Sequence, residues 1–280
     1  MNALEIKGLS KNFSNFELKD ISFNLPSGCI MGLVGENGAG KSTTIKLILN
    51  ILKKDAGEIQ ILSNNYYDGI KEDIGVVLDD LGLPDCLDIY KTDKVMNGIF
   101  HNWQSDTYFE LCKKLRVPEN KTIKEFSKGN KAKLAIIIAW SHKAKLLLLD
   151  EPTSGLDPLV RDEILDILND YTRDENNSIL ISSHIVSDLE KLCDYIVFIH
   201  DGRIMLNKEK DELLNEFGVI NCSLDDFAKI DKERVLHYEE NPYGVKAIVK
   251  RAGLDLDFEP VNIEELFVNM VKELKKWRAY

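Results

Sequence analysis

The eight residues Gly35, Glu36, Asn37, Gly38, Ala39, Gly40, Lys41 and Ser42 constrain this chain more than any other stretch. They fit the pattern G-x-x-x-x-G-K-[ST], and their flanks have the required character. A continuous apolar run, Cys29 to Val34, comes before them and the helically spaced STTIKLILNIL follows. An apolar run of that kind is buried on both faces in a parallel sheet. The glycines let the backbone wind tightly between strand and helix, so that successive N–H groups and the positive end of the helix point at phosphate oxygens. Lys41 adds a full charge, the Ser42 hydroxyl suits Mg²⁺, and we include Thr43 in the binding set. The loop is expected to hold the phosphates of a nucleotide.

The segments downstream alternate in kind. KLLLLD reads as a strand, PLVRDEILDILNDY as a helix, SILISS as a strand, VSDLEKLC as a helix and YIVFIH as a strand, with RDENNS as a loop. That order predicts an α/β, doubly wound architecture. The first 30 residues instead alternate apolar and polar in short runs, which predicts an antiparallel sheet. Leu87 to about Lys143 reads as a mostly helical lobe. Beyond HDGRIM, where Asp201-Gly202 suits a hairpin turn, the elements become shorter and mixed. The boundary is expected between Asn207 and Glu216, giving a main domain over 1–215 and an accessory region over 216–280. Near the end, Asn262 with Glu265 three residues on forms a capping box and Val261 can staple to Leu266, predicting a helix from about Ile263 to Lys276. Its apolar stripe (Ile263, Leu266, Phe267, Met270, Val271, Leu274) reads as packing rather than as a partner surface.

Two further stretches carry candidate chemistry. LLLLDE, Leu146 to Glu151, delivers two carboxylates at the C-terminal end of a buried strand, where α/β sheets bind ligands. Beside a phosphate loop, Asp150 is placed to help hold Mg²⁺ and Glu151 to polarise an attacking water. EFSKGNKAKLAIIIAW, Glu125 to Trp140, sets Ser127, Lys128, Gly129 and Asn130 before an apolar helix. Ser127 is either an ordinary cap with Gly129 relaxing the turn, or part of an anion site at the helix start.

Bulk properties narrow the partners. With 47 acidic against 36 basic side chains, the net charge of −11 over 280 residues argues against nucleic acid and against a polybasic lipid anchor. An anionic ligand must therefore be gripped locally. The five cysteines are scattered without a CxxC pair, suggesting neither a disulfide framework nor a zinc site, and a reducing cytoplasm fits. The N-terminus lacks a signal-peptide layout, and the longest apolar run, Leu134 to Trp140, is far shorter than the roughly 20 residues of a span. No direct membrane insertion is expected.

In family order, the phosphate loop, FSKGN, LLLLDEPTSGLD and ISSH resemble the nucleotide-binding subunit of ATP-binding-cassette (ABC) transporters, over nearly all of residues 1–207. The resemblance implies a P-loop NTPase core with an antiparallel β subdomain and a helical subdomain, followed here by a small C-terminal α+β extension. It implies ATP and Mg²⁺ as ligands. It makes Ser154 to Asp157 the D-loop across a dimer interface, His184 a switch histidine reaching the γ-phosphate, and Phe13 the aromatic that stacks on adenine. FSKGN is similar to the signature that contacts ATP bound to the opposite subunit, so Ser127 and the Gly129 backbone would donate to the γ-phosphate. Two chains, expected to be identical, would then close head to tail over two nucleotides.

There are departures from the family pattern. The usual signature is LSGGQ, whereas Lys128 and Asn130 stand here in place of a glycine and the glutamine; Lys128 either adds charge near phosphate or faces solvent. In DIGVVLDDLG, Asp79 aligns with the glutamine that meets Mg²⁺, and Asp80 is a neighbouring candidate; an ionised carboxylate ligates but does not donate. These substitutions and the extension resemble the exporter branch serving bacitracin, lantibiotics, phenol-soluble modulins and other toxic peptides. A separate transmembrane permease is then the expected partner, holding this subunit at the inner face of the cell membrane, with a groove near Asp79 to Leu87 receiving its cytoplasmic helices. Two alternatives differ in class. A soluble ABC ATPase acting on ribosomes or DNA is disfavoured by the single P-loop, the lack of a heptad run and the acidic balance. A weakly active regulatory cassette would rest on Asp79 and FSKGN alone.

Overall fold

Period-two alternation places the first strands. In the computed structural model, which describes residues 1–65, 68–78 and 81–278, β1 (Asn2–Phe13) and β2 (Phe16–Pro26) pair antiparallel. Ile6 stands opposite Phe23 and Leu9 opposite Ile21, and all four are buried. One face of the hairpin is thus apolar and the other carries Lys7, Asn24 and Asp20. The continuous apolar run becomes β3 (Ile30–Val34), buried at every residue, and the phosphate loop leads into α1 (Lys41–Ile48).

Three strands follow that the sequence pattern does not announce: β4 (Ala56–Ile61), β5 (Asn64–Asn65) and β6 (Ile74–Val77). β4 pairs antiparallel with β1, Ile59 against Ile6, completing a four-stranded sheet in the order β2-β1-β4-β5. The helical lobe is then built by α2 (Ile89–Ile99), α3 (Ser105–Lys114) and α4 (Lys128–Trp140).

The alternating segments fold as their periods predict, into β7 (Leu146–Asp150), α5 (Pro158–Tyr171), β8 (Ser178–Ser183), α6 (Val186–Leu192), β9 (Tyr195–His200) and β10 (Arg203–Glu209). Asp201 and Gly202 both have positive φ, 51° and 71°, and make the tight turn between β9 and β10. The six-stranded sheet runs β10-β9-β3-β8-β7-β6, with β3, β6, β7, β8 and β9 parallel to their neighbours among themselves. Its register sets Val34 beside Ser183 and Asp150 beside Ser182. The C-terminal ends of β3, β8 and β7 therefore finish side by side, and the loops leaving them share one edge.

The chain divides into two compact units, Met1–Asn207 and Lys208–Tyr280. The second holds α7 (Lys210–Glu216), β11 (Phe217–Cys222), α8 (Leu224–Phe227), β12 (Val235–Asn241), β13 (Gly244–Lys250) and α9 (Ile263–Arg278). Its antiparallel sheet has the order β11-β13-β12. The α9 cap is reciprocal: Glu265 N donates to Asn262 Oδ1 at 2.8 Å, and Asn262 N to Glu265 Oε2 at 3.5 Å. Ile263, Leu266, Phe267 and Val271 are buried, as a packing stripe requires, while Leu274 is exposed.

Candidate active site

The phosphate loop is shaped by backbone before side chains. Gly40, at the entry to α1, has φ of 116°, and a Cβ there would stand 2.7 Å from Leu18 Cδ1. No other residue adopts that turn without strain. Gly40 provides no side-chain acceptor to the first turn of α1, so its N–H groups are left for a ligand. Glu36, Asn37 and Gly38 form the exposed crest, while Gly35, Ala39, Gly40 and Lys41 are buried. The turn after β9 supports the loop from below: Gly202 N donates to Ala39 O at 3.0 Å. Lys41 Nζ folds back across the loop and donates to Gly35 O at 2.8 Å.

Asp150, at the end of β7, is 2% exposed. Its Oδ1 accepts from Ser42 Oγ at 3.0 Å and from Ser182 Oγ at 2.6 Å. Its Oδ2 is buried and has no hydrogen-bond partner among the described residues. A buried carboxylate oxygen in that condition is costly unless something else meets it. With the Ser42 hydroxyl beside it, the oxygen set fits a small hard cation such as Mg²⁺, which takes few protein ligands and draws the rest from phosphate and water. Among the described residues no cluster of three or more acidic, histidine or cysteine side chains forms a self-sufficient metal cage.

Glu151 follows with φ of 51°, a left-handed conformation uncommon for a side-chain-bearing residue. Such strain costs about 1–3 kcal/mol and persists where surroundings impose it. Here Glu151 N is held by both Ser182 O and Ser182 Oγ, each at 3.1 Å. The carboxylate is consequently aimed at two cationic or ring partners. Oε1 lies 3.1 Å from Lys41 Nζ, and Oε2 lies 2.6 Å from His184 Nδ1 and 3.3 Å from His184 N. Lys41, Ser42, Asp150, Glu151 and His184 therefore form one connected group.

Other sequence candidates stand around it. Asn37 lines a cleft of 370 Å³ together with Asp150, Glu151, His184 and Lys128. Phe13, 42% exposed, lies 6.2 Å from the Phe16 ring, whose edge would lie 3.1 Å from a Cβ on Gly40. Phe16 thus touches the phosphate loop, and Phe13 lies one ring further from it. Thr43 sits on the first turn of α1, half-buried. Ser127 caps α4, its Oγ accepting from Asn130 N at 3.2 Å, and neither it nor Gly129 lines the cleft within this chain. Asp157 caps α5 in the same way, with Val160 N at 3.1 Å. Asp79 and Asp80 lie outside the described residues.

Ser182 is the functional neighbour that sequence reasoning passes over. It bonds Asp150 and fixes Glu151, and its place in ISSH, two residues before the candidate histidine, is the signal that could have found it. Thr153 and Asp188, both buried and joined at 2.8 Å, likewise brace the segment after Glu151 against α6.

Comparison with known proteins gives this geometry a context. A family model described as ABC transporter matches residues 18–154. The lantibiotic transport ATP-binding protein SrtF of Streptococcus pyogenes is 35% identical, over 74% of this chain and 91% of that one. This chain belongs to the ABC transporter ATP-binding proteins. A second relative of the ABC ATPase, the bacitracin transport ATP-binding protein BcrA of Bacillus licheniformis, is 34% identical over 66% of this chain and 62% of its own length. A solved structure described as the ATP binding subunit of an ABC transporter superposes with a TM-score of 0.67 at 28% identity, covering 75% of this chain and 91% of that one. The ABC ATPase thus has the P-loop core, antiparallel β subdomain and helical lobe of its family, with a small α+β unit after them.

Proposed function

We propose that this ABC ATPase pairs with a second copy of itself over two ATP molecules and drives a separate membrane permease, exporting peptides or similar amphipathic toxic compounds. The single observation that carries the hydrolytic part is the convergence of Lys41, Ser42, Asp150, Glu151 and His184 at the ends of three neighbouring strands. Among the described residues, no helix is long and apolar enough to cross a membrane, which supports a partner that does so. Two relatives are named for lantibiotic and bacitracin transport, which supports a peptide cargo and export.

In this mechanism the phosphate loop and Lys41 position ATP, and Phe13 stacks on the base. Ser42 and Asp150 would hold Mg²⁺, which when bound neutralises charge on the phosphates. Glu151 orients a water and takes its proton as the water attacks the γ-phosphorus. The bond to the bridging oxygen then breaks, and ADP and phosphate separate. His184 holds Glu151 through Nδ1 and meets the γ-phosphate. Such a reaction needs positioning and charge stabilisation more than covalent help. Ser127, Lys128 and Gly129 of one copy would close the site of the other, with Asp157 at the shared interface. Because the γ-phosphate is the ligand common to both copies, its loss weakens the pair.

A groove of 540 Å³ supports the permease contact. It runs between the core and the helical lobe and carries Lys71 and Glu72, but its lining is Leu49, Ile51, Val76, Ile99 and Phe100 rather than the Asp79 to Leu87 stretch expected from the sequence. Ile51 and Ile99 are more than half exposed there. An apolar helix with a few polar ends suits it. Isolation of this chain from native membranes tests the assignment: an integral membrane permease should co-purify and stimulate turnover. Recovery of the subunit free of any membrane protein, with its presumed permease present, would contradict it.

A further inference from the structure

Lys133 stands midway along α4 among Leu134, Ile136 and Ile137, and is 6% exposed. A lysine is almost never buried so deeply unless it is paired. Its Nζ donates at 3.1 Å to Leu115 O, the carbonyl that ends α3, where the helix dipole favours a cation. It also lies 2.5 Å from Glu163 Oε2, in the middle of α5. That carboxylate oxygen is buried and has no hydrogen bond among the described residues, so the ammonium compensates its charge. One side chain thus joins three helices.

The ion pair has a definite place in both helices. Ser127 caps α4 and Asp157 caps α5, and each lies six residues before its own helix's member of the pair. At the far end, Trp140 closes α4 and Tyr171 closes α5, with their rings edge to face at 5.1 Å. Middle meets middle and end meets end, so the two helices run parallel and in step. Six residues of helix span about 9 Å, which sets the two capped starts at the same height. Their spacing depends on the ion pair, because removing one member leaves the other buried and uncompensated.

We propose that Lys133 is a positioning residue for closure over ATP: held between Glu163 and the end of α3, it keeps the Ser127 and Asp157 turns side by side, so that both meet the second copy as one edge. The role rests on the two-copy reading above and adds to it a residue that touches neither nucleotide nor partner. Arginine could fill the same place, since its guanidinium reaches a carboxylate and a carbonyl together. Methionine could fill only the space.

The test uses the full-length chain. Hydrogen exchange without nucleotide comes first, because it needs no second copy. Lys131 N donates to Ser127 O and Arg161 N to Asp157 O, each at 3.0 Å, and these amides report the two helix starts. Lys133→Met should lower the protection of both by about tenfold while the β8 amides stay within about twofold. Glu163→Gln should act in the same direction, and Lys133→Arg should retain wild-type protection at both starts. In the Glu151→Gln background with ATP and Mg²⁺, Lys133→Met should then raise the dimer dissociation constant by about tenfold, with the ATP affinity of the separate chain within about twofold. Unchanged exchange, loss at one start only, an equal loss in β8, or a dimer as tight as the parent's would each overturn the proposal. A Glu151→Gln parent that never dimerises would count against the two-copy reading instead, and the exchange result would still decide whether Lys133 holds the two starts together.

Discussion

Lys41 and Glu151 form an ion pair, Nζ to Oε1 at 3.1 Å, with the lysine side chain 5% and the glutamate side chain 15% exposed. The amine that should meet phosphate and the acid that should orient water hold each other. A nucleotide that recruits Lys41 must therefore part the pair, freeing one Glu151 oxygen while His184 retains the other. In the proposed mechanism, phosphate binding and arming of the acid would then be one event.

Removing the amine should expose this link. Charge-assisted hydrogen bonds contribute about 1.5–3 kcal/mol, so Lys41→Ala should weaken ATP binding by roughly 10- to 150-fold. Titration calorimetry reads the change. An affinity within about twofold of wild type would show that Lys41 serves the loop's internal bonding to Gly35 and not the ligand.

Asp150 has one oxygen shared by two hydroxyls and a second that is buried without a hydrogen-bond partner among the described residues. Asp150→Asn keeps the shape and removes the charge. It should lose most of the difference in ATP affinity between buffer with Mg²⁺ and buffer with EDTA, a difference the wild type should display. The comparison is a binding titration. A mutant that retains the full Mg²⁺ dependence would place the cation elsewhere.

Much of this site is legible in the sequence because its parts are local. The glycine spacing with a strand before and a helix after, and two acids closing an apolar strand, are short-range patterns whose physics does not depend on distant residues. The fold's alternating half is legible for the same reason, since β7, α5, β8, α6 and β9 each show their own period. What stays hidden depends on partners far along the chain. β6 has four residues, Ile74 to Val77, and is a strand only because β7 lies alongside. Ser182 matters only because the register of β7 and β8 sets it opposite Asp150. The Lys133 pair with Glu163 joins two helices whose proximity neither period nor spacing reveals.

Asp170 links α3 and α5 through Lys114, 2.6 Å from Oδ2, and meets Arg173 at 2.8 Å. The hydrogen bond from Lys114, with the charges of both cations, holds its carboxyl below the usual carboxylate range. A depressed folded value means that the contribution is present above the unfolded pKa, near 4, and is lost as pH falls through the lower folded value. Asp170→Asn should therefore lower thermal stability at pH 7 by under about 1 kcal/mol, as suits a solvent-facing pair. The gap from wild type should close in acid below pH ~3. Melting curves across pH check it, and a gap that stays constant into strong acid would refute the pairing.

On the proposed function, ATP is gripped fully only between two copies of the chain. Glu151→Gln should bind ATP normally, lower turnover by about 100-fold or more, and therefore keep the γ-phosphate in place. Light scattering on this variant with saturating ATP and Mg²⁺ should show the mass of a dimer, returning to a monomer with ADP. A variant that binds ATP and stays monomeric throughout would contradict the account.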